Sequence, residues 1–325
     1  MATVLVTGAA GFVGSHLVRG AHDAGLRVVA LDDLSTTGAW PQLPEIVERV
    51  VGDVGDRSLI GRLVASRDIG VIVHLAGRIR IDESVRNPAL YFEQNLGRMV
   101  TLLDAATLAT SRQLSFVLSS SAAVYGQTVR SPIVESGETK PISPYGASKL
   151  AAEIVLASYG QVRGVRWAAL RYFNASGAHP DGTLRECHNP ETHLVPLAID
   201  AALGRRPPLI VHGADYPTRD GTCVRDYVHV MDLAEAHLAA IAALTRGVSL
   251  GVLNLGGARG STVREVLTEV ARRTGRQVPH EVGPRRVGDP GELVASVDLA
   301  AGKIDWRPQR SLGDVVVDTF RSRRF

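Results

Sequence analysis

The chain opens with a short apolar run, Ala2-Thr-Val-Leu-Val-Thr7, that passes directly into Gly8-Ala-Ala-Gly11-Phe-Val-Gly14. Leu17, Val18 and Ala21 then recur at helical spacing. An apolar run without alternation is the pattern of a strand buried on both faces, as in a parallel sheet. Glycines at three-residue spacing between such a strand and a helix let the backbone turn tightly and approach a bound group. The helix start behind them offers unpaired N–H groups and a positive dipole end, a cradle for a pyrophosphate. Gly8, Gly11, Phe12, Val13 and Gly14 are therefore expected to hold a cofactor. No other stretch restricts the fold as strongly.

The same unit repeats down the chain. Arg27–Leu31 predicts a second strand ending at Asp32-Asp33, roughly 20 residues after the glycines. An acidic residue there accepts hydrogen bonds from an adenosine ribose and repels a 2′-phosphate, which favours NAD over NADP. Asp32, first off the strand, is preferred to Asp33. Ile46–Val51 predicts a third strand, followed by Gly52-Asp53-Val54. Two readings of Asp53 stay open: it reaches the adenine edge with Val54, or it caps a helix over Arg57–Ala65. Val71–His74 predicts a fourth strand, ending in Leu75-Ala76-Gly77, where a cofactor crosses the sheet. A helix over Pro88–Leu108 carries Asn95. A fifth strand over Leu114–Leu118 runs into Ser119-Ser120-Ser121.

Strands alternating with helices predict an α/β fold with a doubly wound parallel sheet. Tyr145–Val162 continues it as a helix and Val165–Leu170 as a strand. Regularity breaks at Arg171-Tyr172-Phe173-Asn174, which sets a boundary between residues 1–173 and 174–325. The second part reads as a smaller lid, with about 226–262 returning to the first. It carries helices at Leu194–Leu203, Asp232–Leu244 and Val263–Thr274 and a strand at Val252–Leu255; Thr262 and Glu265 have capping-box spacing.

Composition excludes several classes. The 325 residues are 45% hydrophobic and 21% charged, with net charge +3 and dispersed basic residues. Arg321, Arg323 and Arg324 read as a solvated tail, so no nucleic-acid partner is expected. No apolar run approaches the roughly 18 residues of a membrane span. The N-terminus enters a strand directly, which predicts no signal peptide. Two cysteines, Cys187 and Cys223, make no disulfide framework, so a cytoplasmic setting is expected. Cys187, His188, Glu191 and His193 lack a paired-ligand motif and read as a polar loop, with no metal.

Ser143-Pro-Tyr145-Gly-Ala-Ser-Lys149 places Tyr145 and Lys149 at i and i+4 on one helix face. A phenol with a free pKa of about 10 is a poor base at neutral pH. A nearby ammonium stabilises the phenolate, and a tyrosine so tuned exchanges a proton with a substrate hydroxyl. Spacing alone also fits a half-buried tyrosine beside a solvated lysine, and that reading stays open here.

Taken with VLVTGAAGFVGSHL from Val4, LDDLS from Leu31, GDVGD from Gly52 and SSSAAVYG from Ser119, this stretch resembles the extended short-chain dehydrogenase/reductase superfamily. LRYFNASGAHP from Leu170, DYPTRDGTCVRDYVHVMDLA from Asp215, NLGG from Asn254 and PRRVGD from Pro284 narrow the resemblance to the UDP-glucose (UDP-galactose) 4-epimerase family. The resemblance spans nearly the whole chain. It implies a Rossmann domain with a nucleotide-sugar lid, tightly bound NAD, a UDP-sugar substrate and a homodimer through helices near 88–108 and 145–162. It implies that Tyr145 is the catalytic base and acid and that Lys149 lowers its pKa and binds the nicotinamide ribose. By the same resemblance Ser121 bonds the sugar 4′-hydroxyl, Asn95 contacts NAD and Phe173 packs by the nicotinamide. Asn174, His193, Leu194, Arg225, Arg286, Asp289 and Leu293 are implied to hold substrate, the two arginines as pyrophosphate clamps.

Some positions depart from that pattern. Ile79, between Arg78 and Arg80, replaces a cofactor-contacting lysine, with either arginine a candidate to supply the charge. Ala123 replaces a threonine, Gly97-Arg98 an Asn-Gly pair, His212 an aromatic and His193 an asparagine. Leu293, at the position that gates pocket width, is neither a bulky tyrosine nor a small residue. UDP-N-acetylhexosamine, UDP-pentose or UDP-uronate are therefore alternative substrates. Ala122-Ala123 stands where 4,6-dehydratases carry Asp-Glu, which argues against dehydration. A non-catalytic NAD-binding regulator is the remaining alternative, disfavoured by the intact Tyr145 and Lys149.

Overall fold

A computed structural model describes residues 3–127, 131–186, 188, 190–286 and 290–323. The glycine turn links β1 (Thr3–Thr7) to α1 (Phe12–Asp23). Then come β2 (Val28–Asp32), β3 (Glu48–Val51), α2 (Arg57–Ser66) and β4 (Ile69–His74). The helix expected over Pro88–Leu108 is not one regular helix. After α3 (Ile81–Arg86) it runs as α4 (Pro88–Phe92), a π-helical turn (Glu93–Gly97) and α5 (Arg98–Leu108). The π turn carries the buried Asn95 amide, a local departure typical of functional sites. β5 (Ser115–Ser121), α6 (Pro144–Arg163) and β6 (Arg166–Tyr172) follow.

The second half contains more strands than its Gly- and Pro-rich sequence predicts. These are β7 (Asn174–Ser176), α7 (Leu194–Ala202), β8 (Leu209–His212), β9 (Val224–His229), α8 (Val230–Thr245) and β10 (Gly251–Leu255). After them come β11 (Gly260–Thr262), α9 (Val263–Thr274), β12 (His280–Gly283), β13 (Glu292–Leu293), α10 (Asp298–Ile304) and α11 (Leu312–Ser322). The Thr262–Glu265 capping box forms at the start of α9.

Seven strands make one parallel sheet in the order β10-β6-β5-β4-β1-β2-β3. Alternating residues of each strand feed different cores: Val4 and Val6 pack with α1 and α8, and Leu5 packs with α2, α5 and α6. Both faces are thus covered, which explains the uninterrupted apolar runs. β10 comes from the second half and pairs with β6 from Gly251↔Ala168 to Leu255↔Tyr172. A separate core joins α7, α9 and α11 with β8. The strand order reverses between β1 and β4, and the carboxyl ends there form the crevice where such sheets take ligands.

Candidate active site

The glycine turn is closed too tightly for side chains. Gly8 has φ +69°, and a Cβ there would lie 2.5 Å from the Ala76 nitrogen. A Cβ on Gly14 would lie 2.1 Å from the Gly8 oxygen. Gly11 is the N-cap of α1 and brings no side-chain cap, so no cap side chain covers the first-turn N–H groups beginning at Phe12 and Val13. A backbone cradle with an uncapped helix start fits a dinucleotide pyrophosphate.

Asp32, buried at the end of β2, turns back over this cradle. Its Oδ2 accepts from Ala10 N–H at 2.9 Å and its Oδ1 from Leu34 N–H at 2.8 Å. Burial pushes its carboxyl above the usual value. Asp33 is exposed and accepts from the Ser35 N–H and hydroxyl. Of the two, Asp32 is the one at the glycine turn.

Asp53 accepts from Gly55 N–H at 2.7 Å and pairs with Arg98. It does not cap α2. Asp56 does, accepting from the Ser58 and Leu59 N–H groups, because it directly precedes the helix. Val54 beside it is buried.

Leu75 N–H donates to the Thr7 carbonyl at 3.0 Å, tying the ends of β1 and β4. Ala76 faces Gly8, and a Cβ on Gly77 would lie 2.9 Å from Asn95 Oδ1. Asn95 accepts from Arg78 N–H at 2.7 Å and donates to the Arg78 carbonyl at 3.0 Å and to Ser148 Oγ at 3.1 Å. Its amide therefore fastens this loop to α6. Arg78 and Arg80, the two arginines flanking the replaced lysine, both lie in this loop. Each is ion-paired within the following helix, Arg78 with Glu83 at 3.2 Å and Arg80 with Asp82 at 2.7 Å. Ile79 is exposed.

Ser143 caps α6, accepting from Gly146 N–H, and Pro144 starts the first turn. A Cβ on Gly146 would lie 2.4 Å from the Ala123 oxygen, so the helix start lies against the end of β5. That contact brings Tyr145 to Ser121, whose hydroxyl bonds the phenol. Lys149 is buried, and its Nζ donates to the Ser119 carbonyl at 2.8 Å. Burial pulls its pKa down to about 8, against the opposing charge of Glu153. The expected lowering of Tyr145 is corrected here. Burial outweighs the Ser121 hydrogen bond and raises the phenol, while the Lys149 ammonium is engaged with a backbone oxygen.

Phe173 is buried after β6 and donates its N–H to Leu255 at 3.0 Å; Asn174 opens β7 opposite Tyr227. Arg225 on β9 is in register with Leu293 on β13, and its Nη1 donates to the Val224 carbonyl at 2.7 Å. Arg286 is exposed beyond β12, and Asp289 lies outside the described residues. His193 is the N-cap of α7 and Leu194 its first residue.

Glu186, a lone acid that its sequence neighbours did not single out, meets His193 Nδ1 at 2.6 Å and His188 Nδ1 at 2.9 Å. Glu191 joins at 3.1 Å from His193. Burial opposes the His193 charge, but the bonds to Glu186 and Glu191 outweigh it and hold the pKa up at about 10. The two imidazoles likewise hold the buried Glu186 down at about 2. These four donors converge closely enough to surround a cation. Their spacings are those of proton-sharing hydrogen bonds. Cys187 lies outside the described residues.

A hydroxyl pair, Tyr145 and Ser121, thus stands beside a dinucleotide cradle with a buried ammonium one helical turn away. Such a set exchanges a proton with a carbinol while a hydride leaves its carbon.

A family model described as the NAD dependent epimerase/dehydratase family matches residues 4–256. The UDP-glucose 4-epimerase of Azospirillum brasilense is 43% identical, covering 97% of this chain and 89% of that protein. The enzyme of the same name from Lacticaseibacillus casei is 40% identical, over 98% and 95%. Among solved structures, a UDP-glucose 4-epimerase from Brucella ovis in complex with NAD superposes with TM-score 0.92 at 41% identity, over 99% of both chains. One from Stenotrophomonas maltophila, with bound NAD and formylated UDP-arabinopyranose, gives 0.93 at 34%, over 100% and 98%.

Proposed function

The chain belongs to the NAD dependent epimerase/dehydratase family, and on that premise we propose that it is an isomerase interconverting UDP-galactose and UDP-glucose. It inverts C4 through a transient 4-keto sugar. The observation that carries this is the Tyr145–Ser121 contact beside the uncapped glycine turn.

NAD, when bound, supplies the acceptor that takes the C4 hydride and gives it back. Gly8, Gly11, Phe12, Val13 and Gly14 hold its pyrophosphate, Asp32 its ribose, and Leu75, Ala76, Gly77 and Phe173 line its path. Tyr145 takes the proton from the 4′-hydroxyl, Ser121 orients that hydroxyl and favours the phenolate, and Lys149 binds the nicotinamide ribose. Arg225 and Arg286 grip the UDP phosphates while the sugar stays loosely held, because a fixed sugar is only reduced back to its starting isomer. Residues 1–173 form the cofactor part and 174–325 mainly the substrate part, with about 226–262 returning to the first.

The proposal includes a homodimer through helices near 88–108 and 145–162. Exposed Phe92, Leu108, Ile154 and Val162 on those helices support it. No described helix is long and apolar enough to cross a membrane. On the count of two cysteines, the reading places the protein in the cytoplasm.

A coupled assay of UDP-galactose, UDP-N-acetylgalactosamine and UDP-xylose tests the reading. Turnover of UDP-galactose, lost in Tyr145→Phe, supports it; bound NAD without turnover of any of the three overturns it. Leu293, of intermediate size and partly buried in the structure, favours a second reading in which N-acetylated or five-carbon sugars are also accepted.

A further inference from the structure

Below Tyr145 and Lys149, the same face of α6 carries a third buried polar residue at the next i+4 step, Glu153. Its Oε1 accepts from Arg171 Nε at 2.9 Å and from the Ser120 hydroxyl, and its Oε2 accepts from Arg171 Nη2 at 2.7 Å. This is a planar fork between side chains each 5% exposed. Arg171 lies over the Tyr125 ring at 4.7 Å and donates to its hydroxyl at 2.8 Å. Tyr125 in turn donates to Asn254 Oδ1 of β10 at 2.7 Å.

Ser120 stands between the two residues the site depends on. Ser119 offers the carbonyl that receives Lys149 Nζ, and Ser121 bonds Tyr145. We propose that the buried Glu153–Arg171 pair is a positioning unit for this site: it pins the end of β5 through Ser120 and sets the field at Lys149. Glu153 supplies the negative side of that field and Arg171 screens it. Among the described residues, the other ionisable groups around Lys149 and Tyr145 are His74 from β4, Tyr91 from α4 and Tyr172 from β6. Burial and the charge of Lys149 keep His74 neutral down to about pH 3, so neutral-pH charge near Lys149 comes from Glu153 and Arg171.

This inference rests on the epimerase reading for what Lys149 does, but not for how Lys149 titrates. The chain has three lysines, Lys140, Lys149 and Lys303, so 13C-labelled lysine gives three ε-carbon resonances to follow against pH. Glu153→Gln removes the carboxylate and leaves the guanidinium, so the Lys149 midpoint falls by about one pH unit or more. Arg171→Gln leaves the carboxylate unscreened, and the midpoint rises. A purely structural role gives no such opposition of sign. Midpoints that stay within about 0.3 unit, or that move in the same direction, overturn the inference. If one variant does not fold, the sign of the other decides. In the epimerase assay the alkaline limb of kcat follows the same shifts with KM changed less than about threefold. A wild-type protein that epimerises nothing sinks the functional reading and leaves the lysine titration to judge this one.

Discussion

Leu293 stands in register beside Arg225, so the proposed width-setting side chain and the proposed phosphate anchor rest on adjacent strands. Replacing Leu293 with tyrosine is expected to lower turnover of UDP-N-acetylgalactosamine relative to UDP-galactose, and replacing it with serine to raise that ratio. Arg225→Ala removes a charge-assisted contact, of about 1.5–3 kcal/mol, and raises KM roughly tenfold or more. Steady-state kinetics on both sugars decide the matter. An unchanged ratio in both Leu293 variants removes it from specificity.

Tyr145→Phe deletes the hydroxyl proposed to exchange the proton and keeps the ring that packs edge-on near Tyr91. We expect kcat to fall by about 10²–10⁴-fold with the fold intact. Circular dichroism and retained NAD report the fold. Near wild-type turnover would show that another group moves the proton.

Gly14→Ala forces a Cβ to within 2.1 Å of the Gly8 oxygen, a backbone atom that moves only with the whole turn. The purified variant is expected to carry far less NAD than wild type, read from absorbance of the denatured extract. Equal NAD content would mean that the glycine turn is not the cradle.

His74 is buried, its Nδ1 bonded to Thr7 at 2.8 Å, and burial first and Lys149 second lower its pKa to about 3. The folded value lies below the unfolded 6.5, so the unfolded chain binds the extra proton as pH falls below 6.5. The stability of the neutral imidazole is complete above that pH and is lost progressively towards pH 3. His74→Asn removes this liability. Its stability deficit relative to wild type should shrink by about 2 kcal/mol between pH 7 and pH 5. Denaturant melts at both pH values measure it, and a constant deficit contradicts the sign.

Phe92→Glu and Ile154→Glu place charges on exposed apolar positions of α4 and α6. If these helices form the dimer face, the double variant runs as a monomer in light scattering where wild type does not. Identical masses leave the face without that role.

The parallel sheet is legible in the sequence because strands covered on both sides, such as Val28–Asp32, show as apolar runs. The short strands of the second half are not. Leu209–His212 mixes buried and exposed positions over four residues, and a period cannot be read from so few. The Tyr145–Lys149 spacing is local and therefore visible. Glu153 and Arg171 lie 18 residues apart and meet only through the packing of α6 on β6. The capping reading of Asp53 fails because the true cap, Asp56, follows three residues later in the same acidic turn. The direction of the Tyr145 shift depends on burial, which spacing does not reveal.

β10 joins the parallel sheet at its edge, and Asn254 within it closes the chain of contacts that runs from Tyr125 to Arg171. Synthesis proceeds from the N-terminus, so a nascent chain holds Ser121, Tyr145 and Lys149 long before it holds that strand. Until residue 255 leaves the ribosome, β6 is a bare edge and Arg171 lacks its outer support. Maturation of the site is therefore a late event in translation. A fragment cut at the expected boundary near residue 173 keeps Ser121, Tyr145 and Lys149 but not the strand that braces Arg171.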